Sequence, residues 1–507
     1  MIETAFAQLR FAASVVFGTR FSLRSLGRLI AAMRDTQREF GTIGPEGADL
    51  LDGPTLDDET RRAVQLRRFR SQAVRAARET PYYQRLFERL DLNLTRLGYE
   101  EISRLPLTSK EALRADPDAF VCRSARPYLR AMTTGTTGWP TSICFSEHEL
   151  RVYFALAAIS SLLSRDIESD DIVQISTSAR GTLGNVCLAG ACAHIGAMVY
   201  LAGVVEPAHA LALLAEKRHL AGKKSRTSVL YTYPSYLGEL IECGLRLGYR
   251  PTDFGLEQII IGGEVVTEGL KMRSQQLFGP VPCLEGYGIT ELWPLGGRLC
   301  EADHLHFEIS QGLLEVHNFE TAAPALPGEI GTIVATPFQP YRETTILLRY
   351  DTQDVVRTIP EPPTCTLQHL PATSNVLGKL ALSVHHEHGW TFPRQVAEAL
   401  EAVEEVPLPA RYGFWAVPDS AGGVAVEVMT RRDTPGARRK IEVSLEEHSV
   451  PMRELILVEE RSQLQHPVPL RGDLREHVFS PSRMDSKPAI EASMLERPLI
   501  ETGKGRV

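Results

Sequence analysis

The period of apolar and polar positions changes along the chain. From Asp171 onward, short continuous apolar runs alternate with helical stretches: Ile172-Val173-Gln174-Ile175-Ser176, Ala197-Met198-Val199-Tyr200-Leu201 and Gln258-Ile259-Ile260-Ile261. Runs that are apolar on both faces predict parallel strands covered by helices on each side. The expected fold class is therefore α/β. Gly262-Gly263 closes the third run, a place where a ligand can approach the backbone.

The N-terminal pattern is different. In residues 1–33, Phe6, Leu9, Val16, Phe21, Leu26, Leu29, Ile30 and Met33 follow helical spacing, with Arg10, Arg20, Arg24, Arg28 and Arg34 interleaved. This predicts a basic amphipathic helix. Such a helix can lie on an anionic membrane, but the preferred reading is that it packs on its own domain or on a second subunit, as in a homodimer. It lacks a compact apolar core and a small-residue cleavage site, so a signal peptide is not expected. Gly41, Gly44, Pro45, Gly47, Gly53 and Pro54 mark residues 41–60 as a linker. A charged helical pattern over 61–79 then ends at Thr80-Pro81.

Composition narrows the class. With 507 residues, 43% hydrophobic and 23% charged, the chain can build two or more cored domains. A net charge of −8 argues against a nucleic-acid partner, whose footprint would be basic. No run of about 18 apolar residues occurs, so no transmembrane segment is expected. The eight cysteines include no C-x-x-C pair and suit the reducing cytoplasm.

Chemistry concentrates in a few stretches. Thr133-Thr134-Gly135-Thr136-Thr137-Gly138-Trp139-Pro140 combines glycines that free the backbone with threonine hydroxyls that donate, as a polyphosphate cradle requires. It is not the P-loop pattern, because no lysine follows the last glycine. In Glu285-Gly286-Tyr287-Gly288-Ile289-Thr290-Glu291, the tyrosine ring can stack on adenine and the Thr290 hydroxyl can hold the α-phosphate. Glu291 beside phosphate oxygens implies an intervening hard cation, Mg²⁺. Asp354 follows a strand-like run and offers an acceptor-only group suited to a ribose diol. The small residues Gly184, Cys187 and Ala191, with Tyr233 from Tyr231-Thr232-Tyr233-Pro234, suggest a compact apolar and aromatic cavity for an aryl acid.

In this order, and with Thr502-Gly503-Lys504-Gly505-Arg506 at the end, the motifs resemble those of the adenylate-forming enzymes. The framing sequences Ala77-Arg78-Glu79-Thr80-Pro81-Tyr82-Tyr83 and Leu105-Pro106-Leu107-Thr108-Ser109-Lys110 are most similar to the phenylacetate-CoA ligase branch, from about Arg75 to the C-terminus. The resemblance implies a helical extension and linker at 1–60, a large domain at 61–378 with mixed or parallel sheets, and a smaller mobile α+β domain at 379–507. It further implies ATP, Mg²⁺ and CoA as cofactors, and a reaction in which an aromatic acid is adenylated and then transferred to a thiol. Gly262, Gly263 and Glu264 would lie beside adenine, and Gly288 and Ile289 would share the acyl pocket. Lys504 would be the catalytic lysine of the first step. At the family's Gly-Arg hinge this chain has Gly378-Lys379, where lysine brings a point charge in place of a fork. That departure keeps two alternatives in view: transfer to a carrier-protein phosphopantetheine or an amine, and a non-catalytic nucleotide-binding relative.

Cys300, His304 and His306 fall close together, but spacing marks no fourth ligand, and Leu367 stands where the resemblance implies the partner of a cysteine pair that some relatives carry near Cys365. Without a fourth ligand, a structural zinc is not expected. Thr108 or Ser109 reads as the cap of the helix beyond, and the 105–110 segment as structure without chemistry.

Overall fold

A computed structural model describes residues 2–40, 58–90, 92–133, 140–164, 166–178, 183–417 and 422–476. Its centre is an eight-stranded sheet. Met198–Leu201, Ile172–Ser176, Val229–Thr232, Gln258–Ile261 and Cys283–Gly288 lie side by side in parallel, and Gly296–Leu299, His304–Phe307 and Ala372–Ser374 extend it antiparallel. Successive residues serve opposite faces, as a strand demands: Val229 joins one buried cluster with Val173 and Ile175, and Leu230 joins another with Ile259 and Ile261. Ile172–Ser176 is buried throughout. Cys283–Gly288 is not, because a cavity opens along it.

Helices Glu147–Ser164 and Leu183–Ile195 contribute Ile159, Leu162, Cys187 and Ala191 to the first cluster, and Pro234–Leu247 and Glu268–Phe278 contribute to the second. A Cβ at Gly190 would lie 2.4 Å from the Phe154 ring, so part of the room left by the small-residue helix is filled from its neighbour. A five-stranded antiparallel sheet runs Ala323–Pro324, Gly312–Asn318, Ile330–Pro337, Tyr350–Arg357, Gly378–Lys379.

The N-terminal residues form two helices in place of the single one expected, Ile2–Phe17 and Leu23–Phe40, separated at Gly18 with φ +67°. They pack on their own domain. Phe21, Leu26 and Ile30 join the main core, and Arg20 pairs with Glu343 at 2.9 Å.

Beyond Lys379, the strands Tyr412–Ala416, Val424–Met429 and Met452–Val458 form a three-stranded sheet. Helices Pro393–Glu401 and Pro435–Glu447 bury Val396, Leu400, Ile441 and Leu445 against it. Both begin with proline at a position that needs no N–H. The Thr434 hydroxyl accepts from Ala437 N at 3.1 Å, a capping bond.

Candidate active site

A cavity of about 180 Å³ lies where the ends of Gln258–Ile261 and Cys283–Gly288 meet the bulged strand Tyr350–Arg357 and the residues beyond Gly378. Gly263, Glu264, Glu285, Gly286, Tyr287, Gly288, Ile289, Asp354 and Lys379 all line it. Gly263 has φ +89°, a left-handed turn that lets the chain leave the strand end beside the cavity.

Asp354 is aimed inward by a local irregularity. Pairing slips by two residues between Thr332 and Val334, and Gln353 sits at φ +62° with its N–H held by Asp351 Oδ1 at 3.0 Å. Such a bulge re-aims the next side chain. The Asp354 carboxylate is 6% exposed. Tyr287 donates its hydroxyl to Oδ2 at 2.9 Å, and Lys379 Nζ lies 2.8 Å from Oδ1 while also donating to the Thr352 carbonyl at 3.0 Å. Burial, and then the Asp354 charge, push the Tyr287 phenol far above its ordinary range, so it remains a donor.

Glu291 is 3% exposed. Tyr350 donates to its Oε1 at 3.0 Å, and Lys110 Nζ lies 3.8 Å from the same oxygen. Sequence reasoning missed Lys110. Its placement comes from non-local bonds: Thr108 N donates to Arg349 O at 2.9 Å, Asp351 N to Thr108 O at 3.0 Å, and Ser109 caps the helix Lys110–Ala115. The available signal was a lone lysine after a helix cap in a segment read as structural. Burial lowers the Lys110 pKa, with Glu291 opposing. Glu285 faces Asn375 at 3.2 Å, Lys271 at 3.5 Å and Arg394 at 3.6 Å, yet burial is the larger influence and raises its pKa.

The residues expected in the acyl pocket divide. Gly288 and Ile289 line the cavity, and Tyr233 stacks under the Arg471 guanidinium, 5.6 Å from its ring centre. Gly184 faces the Tyr231 hydroxyl, whereas Cys187 and Ala191 are buried in the core, and burial pushes the Cys187 thiol up to about 12. Glu264 is engaged: it accepts from Ser235 N at 3.0 Å, from Ser235 Oγ at 2.6 Å and from Arg471 N. Gly262 ends its strand with a Cβ position 3.4 Å from Gly286 O, and Thr290 is half-buried in the turn before Glu291.

Thr133 closes the base of its loop, donating N–H to Thr141 O at 2.9 Å and accepting from Thr141 N at 2.9 Å. Thr134, Gly135, Thr136, Thr137, Gly138 and Lys504 lie outside the described residues.

No family model matches the chain. It is similar to the phenylacetate-coenzyme A ligase of Thermus thermophilus, 26% identical over 359 residues that cover 69% of this chain and 78% of that one. It is also similar to the phenylacetate-coenzyme A ligase of Aromatoleum evansii, 22% identical over 329 residues covering 62% and 70%. Among solved structures, a 2-hydroxyisobutyryl-CoA ligase in the postadenylation state superposes with a TM-score of 0.65 at 16% identity, covering 82% of this chain and 89% of that one. The same ligase in the thioesterification state gives 0.55 at 18% identity. The chain has the fold of this CoA ligase and is similar in sequence to phenylacetate-coenzyme A ligases.

Proposed function

We propose that the protein activates an aromatic carboxylic acid with ATP, forming an acyl-adenylate and pyrophosphate, and then transfers the acyl group to the thiol of CoA. The observation that carries this reading is a hydrogen-bonded carboxylate suited to a diol, Asp354, in the wall of the cavity, together with a second buried carboxylate, Glu291, that faces Lys110, a lysine close enough to both to feel their charges. In the first step a substrate carboxylate oxygen attacks the α-phosphorus, and the P–O bond to pyrophosphate breaks. Such catalysis rests on positioning and on charge stabilisation. We assign Asp354 to the ribose hydroxyls, Tyr287 and the Gly262–Gly263–Glu264 turn to adenine, and Thr290 with Lys110 to the phosphates.

Glu291 is the residue that would hold Mg²⁺. Tyr350 and Lys110 both address Oε1, and Oε2 is the oxygen left to a cation. A bound ion would neutralise phosphate oxygens. From sequence alone we assign the loop residues 133–138 to the phosphates, Lys504 to the first step, and the domain division to 378/379. All eight cysteines are free thiols, and among the described residues no helix is long and apolar enough to cross a membrane. A reducing cytoplasm fits the thiols.

The test is ATP–pyrophosphate exchange across benzoic, aminobenzoic and phenylacetic acids. Exchange that depends on one of them and on Mg²⁺ supports the reading; folded, ATP-binding protein with no acid-dependent exchange overturns it. Competition between CoA and a phosphopantetheinyl carrier for the acyl-adenylate then identifies the acceptor.

A further inference from the structure

Outside the nucleotide cavity, four metal-ligating side chains meet. Cys300, His304, His306 and Cys365 each bring one ligand atom, and these atoms all lie within 4.8 Å of one another. Spacing in the sequence marks the first three, and the fold supplies the fourth.

The hairpin of Gly296–Leu299 and His304–Phe307 is closed by Cys300 N donating to His304 O at 3.0 Å and Asp303 N to Cys300 O at 3.1 Å, with Asp303 at φ +57°. This turn folds Cys300 over the start of the second strand, where His304 and His306, two residues apart, share a face. Cys365 arrives from the loop that precedes Ala372–Ser374, the strand paired with His304–Phe307. Glu301 fixes that loop, accepting from Thr366 N at 2.9 Å and from Thr366 Oγ1 at 2.8 Å.

The donors are also oriented. Cys365 Sγ lies 3.2 Å from His306 Nε2, close to the roughly 3.5 Å that separates two ligands on a tetrahedral ion with bonds of about 2.0–2.3 Å. His306 Nδ1 lies 3.3 Å from the Leu370 carbonyl oxygen; donating there leaves Nε2 with its lone pair toward the cluster, the arrangement of a histidine ligand and its outer partner. The His304 Nδ1 atom is buried with no hydrogen-bond partner. Buried polar atoms are ordinarily paired, so an unpaired one in a ligand cluster needs an explanation that a metal supplies.

We propose that these residues bind one Zn²⁺ as a tetrahedral Cys₂His₂ site. Two thiolates and two imidazoles are the set that selects zinc, and four protein donors leave no open position, which makes the site structural. Binding releases two thiol protons as two Zn–S bonds form. Leu299 and Leu305, neighbours of the ligands in sequence, line the nucleotide cavity. Asp303 in the turn accepts from Asn375 at 3.1 Å, and Asn375 also lines the cavity. The ion therefore fastens two separate chain segments into one wall of the cavity.

The test uses the full chain purified without metal-affinity chromatography. Elemental analysis should give about one zinc per chain. Cys300→Ser and Cys365→Ser should lose it, while Cys243→Ser, at a buried cysteine elsewhere, should keep it. Exchange with Co²⁺ should give thiolate charge-transfer bands of two-sulfur intensity, a readout on the unmutated protein that stands even if the variants do not fold. Chelation should lower Tm, and Zn²⁺ should restore it. Protein that holds no zinc and, once reduced, takes up no Co²⁺ overturns the proposal, as does zinc retained in both cysteine variants. A thiol count two below the chain's eight cysteines in the unreduced, denatured protein, with the linked peptide of Cys300 and Cys365 found in its digest, would identify a Cys300–Cys365 disulfide and also overturn it. None of these readouts depends on ligase activity.

Discussion

One buried carboxylate oxygen, Glu291 Oε1, receives the Tyr350 phenol and faces the Lys110 ammonium, and the identity of the three groups determines what each substitution costs. Lys110→Met removes the positive charge beside Glu291, and Glu291→Gln removes the negative one. If either stabilises the adenylation transition state by several kcal/mol, exchange should fall on the order of 10²-fold with the fold intact. Tyr350→Phe deletes a single hydrogen bond, so a loss nearer tenfold is expected. Because burial lowers the Lys110 pKa, its charged form is present below that lowered value and is lost as pH rises through it. The alkaline fall of exchange should therefore begin at a lower pH than free lysine would give. Lys110→Arg should abolish that alkaline limb while keeping part of the rate. A pH–rate profile that is unchanged in Lys110→Arg would remove Lys110 from the reaction. A second titration concerns stability. Arg349, 1% exposed, forms paired 3.0 Å bonds to Glu315 and reaches His317 Nε2 at 2.7 Å. Burial, and then the guanidinium charge, lower the His317 pKa from 6.5 to about 4. The unfolded chain takes up this proton first, so its contribution to stability is complete above about pH 6.5 and is lost as pH falls toward 4. His317→Gln should flatten the acid limb of Tm against pH, and an identical limb in the variant would assign acid sensitivity elsewhere.

At the scale of elements, the predicted strands Ile172–Ser176, Met198–Leu201 and Gln258–Ile261 all form, because a run that is apolar on both faces has few other ways to be buried. The strand-like run 346–350 read before Asp354 does not form: the strand is Tyr350–Arg357, and Asp354 lies within it and lines the cavity. What the sequence hid is whatever depends on partners far along the chain. Lys110 reaches the site through bonds of Thr108 to the backbone of Arg349 and Asp351, and Phe154 fills the space beside Gly190. The single N-terminal helix read from periodicity divides at Gly18, whose positive φ no periodicity reports. Gly378 shows how narrow such a requirement can be. It has φ +136°, and a Cβ there would lie 2.7 Å from Pro393 Cδ and Cγ, both held in a ring at the start of a helix. Gly378→Ala therefore meets backbone strain and a steric clash together, and about 1–3 kcal/mol of destabilisation is expected. A urea midpoint that drops with unchanged slope would register it. A midpoint equal to that of the unmutated chain would mean that the segment after Leu377 shifts freely to accept the methyl.

At the scale of the molecule, the residues beyond Gly378 close over the cavity through one compact latch. Ser235 Oγ donates to Glu264 at 2.6 Å and accepts from Gly472 N at 2.9 Å, while Arg471 N also donates to Glu264. Asp473 is held from the other side by Arg411 at 2.7 Å and Arg461 at 2.7 Å. In the proposed two-step reaction, the acid and ATP must meet in a closed, water-poor cavity, whereas CoA must later gain entry. The latched arrangement, with Asp354, Tyr287 and Lys379 enclosed, is suited to the first of these. Ser235→Ala removes the one hydrogen bond of its hydroxyl that crosses the latch, from Gly472 N, worth about 1 kcal/mol and enough to shift a two-pose balance by about fivefold toward the open form. Pyrophosphate exchange should then fall by about fivefold, and thioester formation from a supplied aryl-adenylate and CoA should be unchanged or faster, since only interactions present in a given transition state alter its barrier. Limited proteolysis should cut the variant sooner after residue 460 than the unmutated chain. If both half-reactions slow alike, the latch supports the site in every pose and the residues beyond Gly378 do not move as proposed; if thioester formation alone slows, the closed arrangement belongs to the second step.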